Sequence, residues 1–179
     1  MATSEKSLVY FVAQSLDGYI AKSDGDISWL EKFGSSTEDF GYSSFYSSID
    51  SLIMGGYTYN QLIQFKNWPY PDKPTWVLSH NTPSNQPEGV KFTTSGPEEI
   101  LQSIRNSSRK KTWLVGGGKT AAHFLNRSLI TDFIVTLIPI LLGSGIPLLN
   151  SITGHYHLIL KEKRVYPQGL VQLHYRLAR

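Results

Sequence analysis

Short apolar runs recur along this chain, separated by segments in which apolar positions return every three or four residues. Runs of the first kind read as buried strands, and segments of the second as helices with one inward face. Strands are predicted over 8–13 (LVYFVA), 51–54, 73–79 (KPTWVLS), 89–93, 111–115 and 132–138. Helices are predicted over 37–48, with Phe40, Phe45 and Ile49 inward, and over 57–65, 97–106 and 119–127. The third of these opens on Pro97 with Glu98 and Glu99 in its first turn, as the helix dipole favours. Residues 155–166 and 169–177 alternate apolar and polar positions around Pro167-Gln168-Gly169, the pattern of an antiparallel hairpin. Strands alternating with helices ahead of a hairpin predict an α/β architecture of three layers. Its central sheet is mainly parallel, with helices on both faces and an antiparallel C-terminal edge. Residues 22–36 form a long polar loop, broken by Ile27, Trp29 and Leu30, whose length marks it as a lid.

The most informative junction lies between the strand ending at Val115 and the helix beginning near Ala121, where the chain reads Gly116-Gly117-Gly118-Lys119-Thr120. Glycines between a strand and a helix let backbone N–H groups approach an anion, and the helix N-terminus favours negative charge there. The junction is not a P-loop, because Trp113 stands where that motif needs its first glycine. It is not a full dinucleotide fingerprint either, since Ala121 occupies the last glycine position. Two more turns, at 55–58 and 79–81, fall at predicted strand ends and are built of small, polar or glycine residues. Ligands of open parallel sheets bind at the carboxyl ends of strands, so the three turns converge on one extended nucleotide site.

Composition narrows the chemistry. The 179 residues suit one domain spanning 1–179, with a core of ordinary size. There is no cysteine, which excludes disulfides, thiolate metal sites and a zinc deaminase centre. The N-terminus has no basic-then-apolar leader, and the longest apolar run, 133–142, is too short to span a bilayer, so a cytoplasmic location is expected with no membrane partner. The net charge of +3 comes from scattered bases. The one cluster, 105–111 with Arg109-Lys110-Lys111, ends a predicted helix and reads as a solvated, dipole-matched terminus rather than a nucleic-acid surface. His155 and His157 share a predicted strand face but lack a third ligand at sensible spacing, so no metal site is expected.

Five segments together carry a family resemblance: SLDGYIA (15–21), LIMGGYTYNQL (52–62), VLSHN (77–81), WLVGGGKTAAHFL (113–125) and PILLGSGIPL (139–148). In this order they resemble the dihydrofolate-reductase-like fold, and within it the riboflavin-biosynthesis reductase domain as a stand-alone chain. The resemblance implies an oxidoreductase with NADPH as cofactor and hydride transfer as chemistry. It implies that Ala13 offers its backbone to the nicotinamide carboxamide and that Ile20 packs near the ring. Gly116, Gly117, Gly118, Lys119 and Thr120 would hold the pyrophosphate beside Gly55, across a cis Gly116–Gly117 peptide. Thr58 would cap the second helix and bind phosphate, with Ser79 and His80 near the adenosine 2′-phosphate. Relatives carry an arginine directly after the glycine matching Gly55, and here Gly56 and Tyr57 follow instead. That departure leaves His80 or Lys119 as substitutes and keeps NADH or a flavin open.

On the substrate side, Asp39 matches the pterin-binding carboxylate of folate reductases, and Thr136 matches the threonine that supports that acid. The alternative reading makes Asp39 a first-turn acid stabilising a helix start. Folate itself fits less well, since Ser43 replaces the expected aromatic and Lys73 the arginine that clamps the glutamate tail. The implied substrate is a small molecule, a phosphorylated ribosylaminopyrimidine whose sugar is reduced. A true dihydrofolate reductase is the alternative within the class, and a cofactor-binding protein with little turnover the alternative outside it. Asp17, which forms the SLDG turn, and Ser43 are substrate candidates, as is Trp29, which either closes over the nicotinamide or anchors the lid. Gly143-Ser144-Gly145 either binds phosphate through its N–H groups or merely joins strands. The edge of the terminal hairpin offers pairing to a second copy, and a homodimer is expected.

Overall fold

The computed structural model describes residues 6–33, 38–107 and 110–178. Thr37, the predicted start of the first helix, the loop residues 34–36 and Arg109 of the basic cluster lie outside them. Ten strands and four helices follow in the order β1 (Ser7–Ser15), β2 (Tyr19–Ala21), α1 (Tyr42–Ser48), β3 (Ser51–Gly55), α2 (Gly56–Leu62), β4 (Thr75–Leu78), β5 (Val90–Thr93), α3 (Pro97–Asn106), β6 (Lys111–Gly116), α4 (Gly118–Leu125), β7 (Asp132–Ile138), β8 (Ile146–Pro147), β9 (Leu158–Val165) and β10 (Val171–Leu177).

Eight strands form one sheet in the order β5-β4-β3-β6-β1-β7-β10-β9, and β2 pairs with β8 in a small second sheet. The six strands from β5 to β7 are parallel. β10 runs antiparallel to β7 and to β9, as the hairpin pattern predicts. Both faces of the parallel strands are covered, which is why they read as nearly continuous apolar runs. Leu8, Tyr10, Ile53 and Leu114 pack with Ile100, Ile104, Phe124 and Leu125 of α3 and α4. Their sequence neighbours Val9, Leu52, Met54 and Trp113 point the other way, onto Phe45, Ile49 and Tyr59 in and around α1 and α2. Successive residues therefore feed opposite layers, and the three-layer arrangement follows from the period of two.

The main departures lie at ends and in short pieces. The first helix starts at Tyr42, because Phe40 and Gly41 adopt positive φ (54° and 79°) and break the periodic segment. Asp39 therefore precedes the helix instead of lying within it. β9 begins at Leu158, so His155 and His157 lie ahead of the strand and do not share its face. β2, β8 and a 3₁₀ turn at Ser28–Leu30 are too short to impose a period. No described helix is long and apolar enough to cross a membrane.

Leu114 is fully buried at the centre of β6, whereas Leu141 is 68% exposed. Leu114→Ala is expected to cost about 2–5 kcal/mol of unfolding free energy through transfer and cavity terms. Leu141→Ala should stay within about 0.5 kcal/mol. Urea denaturation of both variants checks the contrast.

Candidate functional site

The centre of the site is where β3 and β6 end side by side. Met54 stands opposite Gly116 in the ladder, and each strand runs into glycine before its helix begins. Gly116 has φ 147°, a backbone few L-residues adopt, and its peptide to Gly117 is cis, as the resemblance implies. Thr58 faces this turn: its Oγ1 lies 3.6 Å from where a Cβ on Gly117 would stand. A Cβ on Gly55 would run into the Thr120 hydroxyl, and one on Gly118 into the Pro147 carbonyl. As the first residues of α4, Gly118, Lys119 and Thr120 present N–H groups without intrahelical acceptors. Thr58 does not cap α2, however. The N-cap is Gly55, with no side-chain capping bond, and Thr58 sits within the first turn, turned toward Gly116 and Gly117.

Beyond Gly55 the site opens outward. A cavity of about 530 Å³ lies between α2 and the end of β4, lined among others by Gly56, Tyr57, Tyr59, Ser79 and Asn81. The Ser79 hydroxyl donates to the Asn81 carbonyl (2.9 Å) and accepts the Asn81 N–H (3.1 Å). Tyr59 is only 3% exposed, and its hydroxyl has no hydrogen-bond partner among the described residues. His80 is exposed and does not line this cavity, nor does Lys119.

The other half of the site lies at the ends of β1 and β7, where Ala13 pairs with Thr136. Ile20 lies half-buried in β2. Asp39 is exposed and accepts the N–H groups of Gly41 and Ser43, each at 2.9 Å. The Ser43 side chain, then these backbone donors, hold its carboxyl below the usual carboxylate range, so it is ionised at neutral pH. Thr136 is buried, and its Oγ1 accepts from Gln172 Nε2 at 3.0 Å; the same amide donates to the Phe40 carbonyl at 3.1 Å. Gln172 therefore joins Thr136 to the residue after Asp39. Its signal in the sequence was a polar side chain at an inward position of an alternating strand.

Trp29 is 4% exposed and packs on Ile138 and Leu170, so it anchors the lid loop to the core, with its Nε1 unpartnered among the described residues. Lys73 donates to the Ile49 carbonyl at 2.9 Å, which directs its ammonium into the fold beneath α1. Asp17 accepts from the Ser15 hydroxyl (2.6 Å) and from the N–H groups of Leu142 and Gly143 (3.1 and 2.7 Å). It clamps the turn after β1 to the loop before β8, and uses an N–H that the Gly143-Ser144-Gly145 turn would need for an anion.

No family model matches the chain. The uncharacterized Bacillus subtilis (strain 168) protein YwjB is 38% identical over 172 residues, covering 96% of this chain and 98% of that one. A Shewanella sp. PV-4 protein named for riboflavin biosynthesis has a solved structure that superposes with a TM-score of 0.87 at 31% identity, over 97% of this chain and 99% of that one. The chain belongs to the family of that riboflavin-biosynthesis protein. Beyond the family, its fold is shared with a dihydrofolate reductase. The Enterococcus faecalis enzyme, solved with NADP(H), gives a TM-score of 0.67 at 19% identity over 97% of both chains.

The Asp17 clamp generates a pH signature in this chain. Hydrogen bonds from Ser15, then from Gly143 and Leu142, depress its folded pKa below the ordinary value of 3.8. A depressed acid stabilises the fold fully above its unfolded pKa and loses that contribution as pH falls through the lower, folded value. Asp17→Asn should therefore lower the melting midpoint at pH 7, and the gap from wild type should narrow progressively as pH falls below 3.8. Thermal melts across that range check it.

Proposed function

We propose that this chain is a reductase that uses a nicotinamide dinucleotide to reduce a small heterocyclic substrate of the ribosylaminopyrimidine type, with a pterin as the alternative. The observation that carries this reading is the glycine junction after β6, where a Cβ on Gly117 would stand 3.6 Å from the Thr58 hydroxyl, beside Gly55, whose Cβ would run into the Thr120 hydroxyl. The cavity beginning one residue beyond Gly55, with Tyr59, Ser79 and Asn81 among its lining residues, fits the outer end of such a cofactor.

In this reading Gly116, Gly117, Gly118, Thr120 and Thr58 hold the pyrophosphate, with the Lys119 ammonium available from the exposed side of α4. Ser79 borders the adenosine, and Ala13 and Ile20 border the nicotinamide. When bound, the cofactor supplies a hydride, chemistry that asks no nucleophile of the protein. What the chain contributes is position and dryness. Trp29, Ile138 and Leu170 form an apolar floor at the carboxyl ends of β1 and β7. Asp39, ionised at neutral pH, accepts hydrogen bonds and so orients a ring bearing N–H or amino groups; it is not a proton donor at that pH. Gln172 holds the Phe40 carbonyl and Thr136 in register beneath it.

A second reading, a dinucleotide-binding protein with little turnover, draws support from the use of both Asp39 oxygens at the start of α1. The two readings separate on Asp39→Asn. A reductase loses turnover by about tenfold or more while dinucleotide affinity stays within twofold. Turnover is followed as loss of the reduced-nicotinamide absorbance with a ribosylaminopyrimidine phosphate or dihydrofolate as acceptor. Thr58→Val should weaken dinucleotide binding by about tenfold, the loss of one hydrogen bond to a charged group, with circular dichroism unchanged. Wild-type protein that binds no dinucleotide in calorimetry would sink the proposal.

A further inference from the structure

We infer that the outer end of the dinucleotide site accepts an adenosine with an unphosphorylated ribose, so that this chain binds NADH at least as tightly as NADPH. The inference rests on the dinucleotide reading above and assigns its selectivity to Gly56. The cavity between α2 and β4 has no charged residue on its wall: Tyr59, Asn60, Ser79, Asn81 and Asn85 offer neutral donors and acceptors, and Phe92 an aromatic face. That chemistry suits a purine ring and a ribose diol. A 2′-phosphate carries between one and two negative charges, and transferring it from water to neutral partners alone forfeits hydration that only a cation repays.

The two residues that open α2 cannot supply the cation. Gly56 carries no side chain, and a Cβ there would stand 3.0 Å from the Ser79 Oγ and 3.1 Å from the Ser79 Cβ, so a side chain at this position needs Ser79, the residue after β4, to give way slightly. Tyr57 donates its hydroxyl to the Asp24 carbonyl at 3.0 Å, which draws the acidic stretch Asp24-Gly25-Asp26 to the cavity's rim. The base on that stretch, Lys22, is paired with Asp26. Lys91, on the strand next to β4, lies over the Trp76 ring at 5.4 Å. Even the Ser79 hydroxyl is closed on Asn81 through both its donor and its acceptor. The Tyr59 hydroxyl is buried and without a partner among the described residues, and it is neutral, with burial raising its pKa above the ordinary value of 10.0.

The test is calorimetric titration of the full chain with NADH and with NADPH, repeated with the fragments adenosine 5′-monophosphate and adenosine 2′,5′-bisphosphate. The expected result is an NADH dissociation constant equal to or below that for NADPH, with the fragments in the same order. NADPH binding tenfold or more tightly would overturn the inference while leaving the dinucleotide reading intact. Failure of both dinucleotides to bind would overturn the reading and the inference together. Gly56→Arg should shift the NADPH:NADH affinity ratio toward NADPH by about tenfold or more, one charge-assisted contact. Gly56→Ala, which meets the same Ser79 crowding without a charge, should leave the ratio where it was. Folding of both variants is followed by circular dichroism. An unchanged ratio in folded Gly56→Arg would overturn the assignment to Gly56, and the wild-type titration decides the inference if that variant does not fold.

Discussion

Two adjacent parallel strands end at the same level and both must hand the chain to a helix there. That crowding governs the rest of the molecule. β3 and β6 stand one ladder spacing apart, with Met54 opposite Gly116, and α2 and α4 rise from them on opposite sides of the sheet. Helix starts this close leave no room for a side chain at Gly55 or Gly118. Gly55 lies against Thr120, Gly117 against Thr58, and Gly118 against the carbonyls of Pro147 and Leu148. What remains at the junction is bare backbone and two hydroxyls, the surface on which an anion with many oxygens can be held from several directions. The same packing that closes the sheet edge therefore produces the polar cleft.

The two halves of the cleft differ in how they are made rigid. The half at β3, β4 and β6 is held mainly by sheet register and glycine contacts, with the Ser51–Thr112 hydroxyl pair between β3 and β6 and the Tyr57 hydroxyl on the Asp24 carbonyl. The half at β1 and β7 is held by side-chain hydrogen bonds over long sequence distances: Asp17 to Leu142 and Gly143, and Gln172 to Thr136 and Phe40. A dinucleotide that varies little asks for the first kind of support. A substrate pocket that differs between relatives can be remodelled one side chain at a time with the second.

The sheet, its parallel run and the terminal hairpin were legible because both faces are buried and the apolar runs declare it. α3 was legible to the residue, since Pro97 and the paired glutamates mark its start. The glycine junction was legible because three glycines in a row have few other uses. Asp39 was misplaced by half a turn of reasoning: the periodic pattern runs back through Phe40, but the positive φ of Phe40 and Gly41 stops the helix after them. Thr58 was expected to cap, yet a residue in the first turn of α2 points across to the neighbouring strand instead. Gln172 and Lys73 could not be assigned because their partners, Phe40, Thr136 and the Ile49 carbonyl, lie far off in sequence and meet them only in the folded sheet.

The Gln172 bridge has a bearing on how the molecule is made. β10 is the last strand in sequence, yet it lies between β7 and β9 and supplies the amide that fastens Thr136 to Phe40. As the chain emerges from the ribosome from its amino end, the layers around β1, β3 and β6 can assemble with residues up to 138. The end of the cleft at Ala13 and Thr136 stays unfinished until the stretch beyond Gln172 is free of the exit tunnel. Synthesis therefore delivers the strand ends of β3 and β6 first and the Ala13–Thr136 end last, and a nascent protein passes through a stage with only half of its cleft.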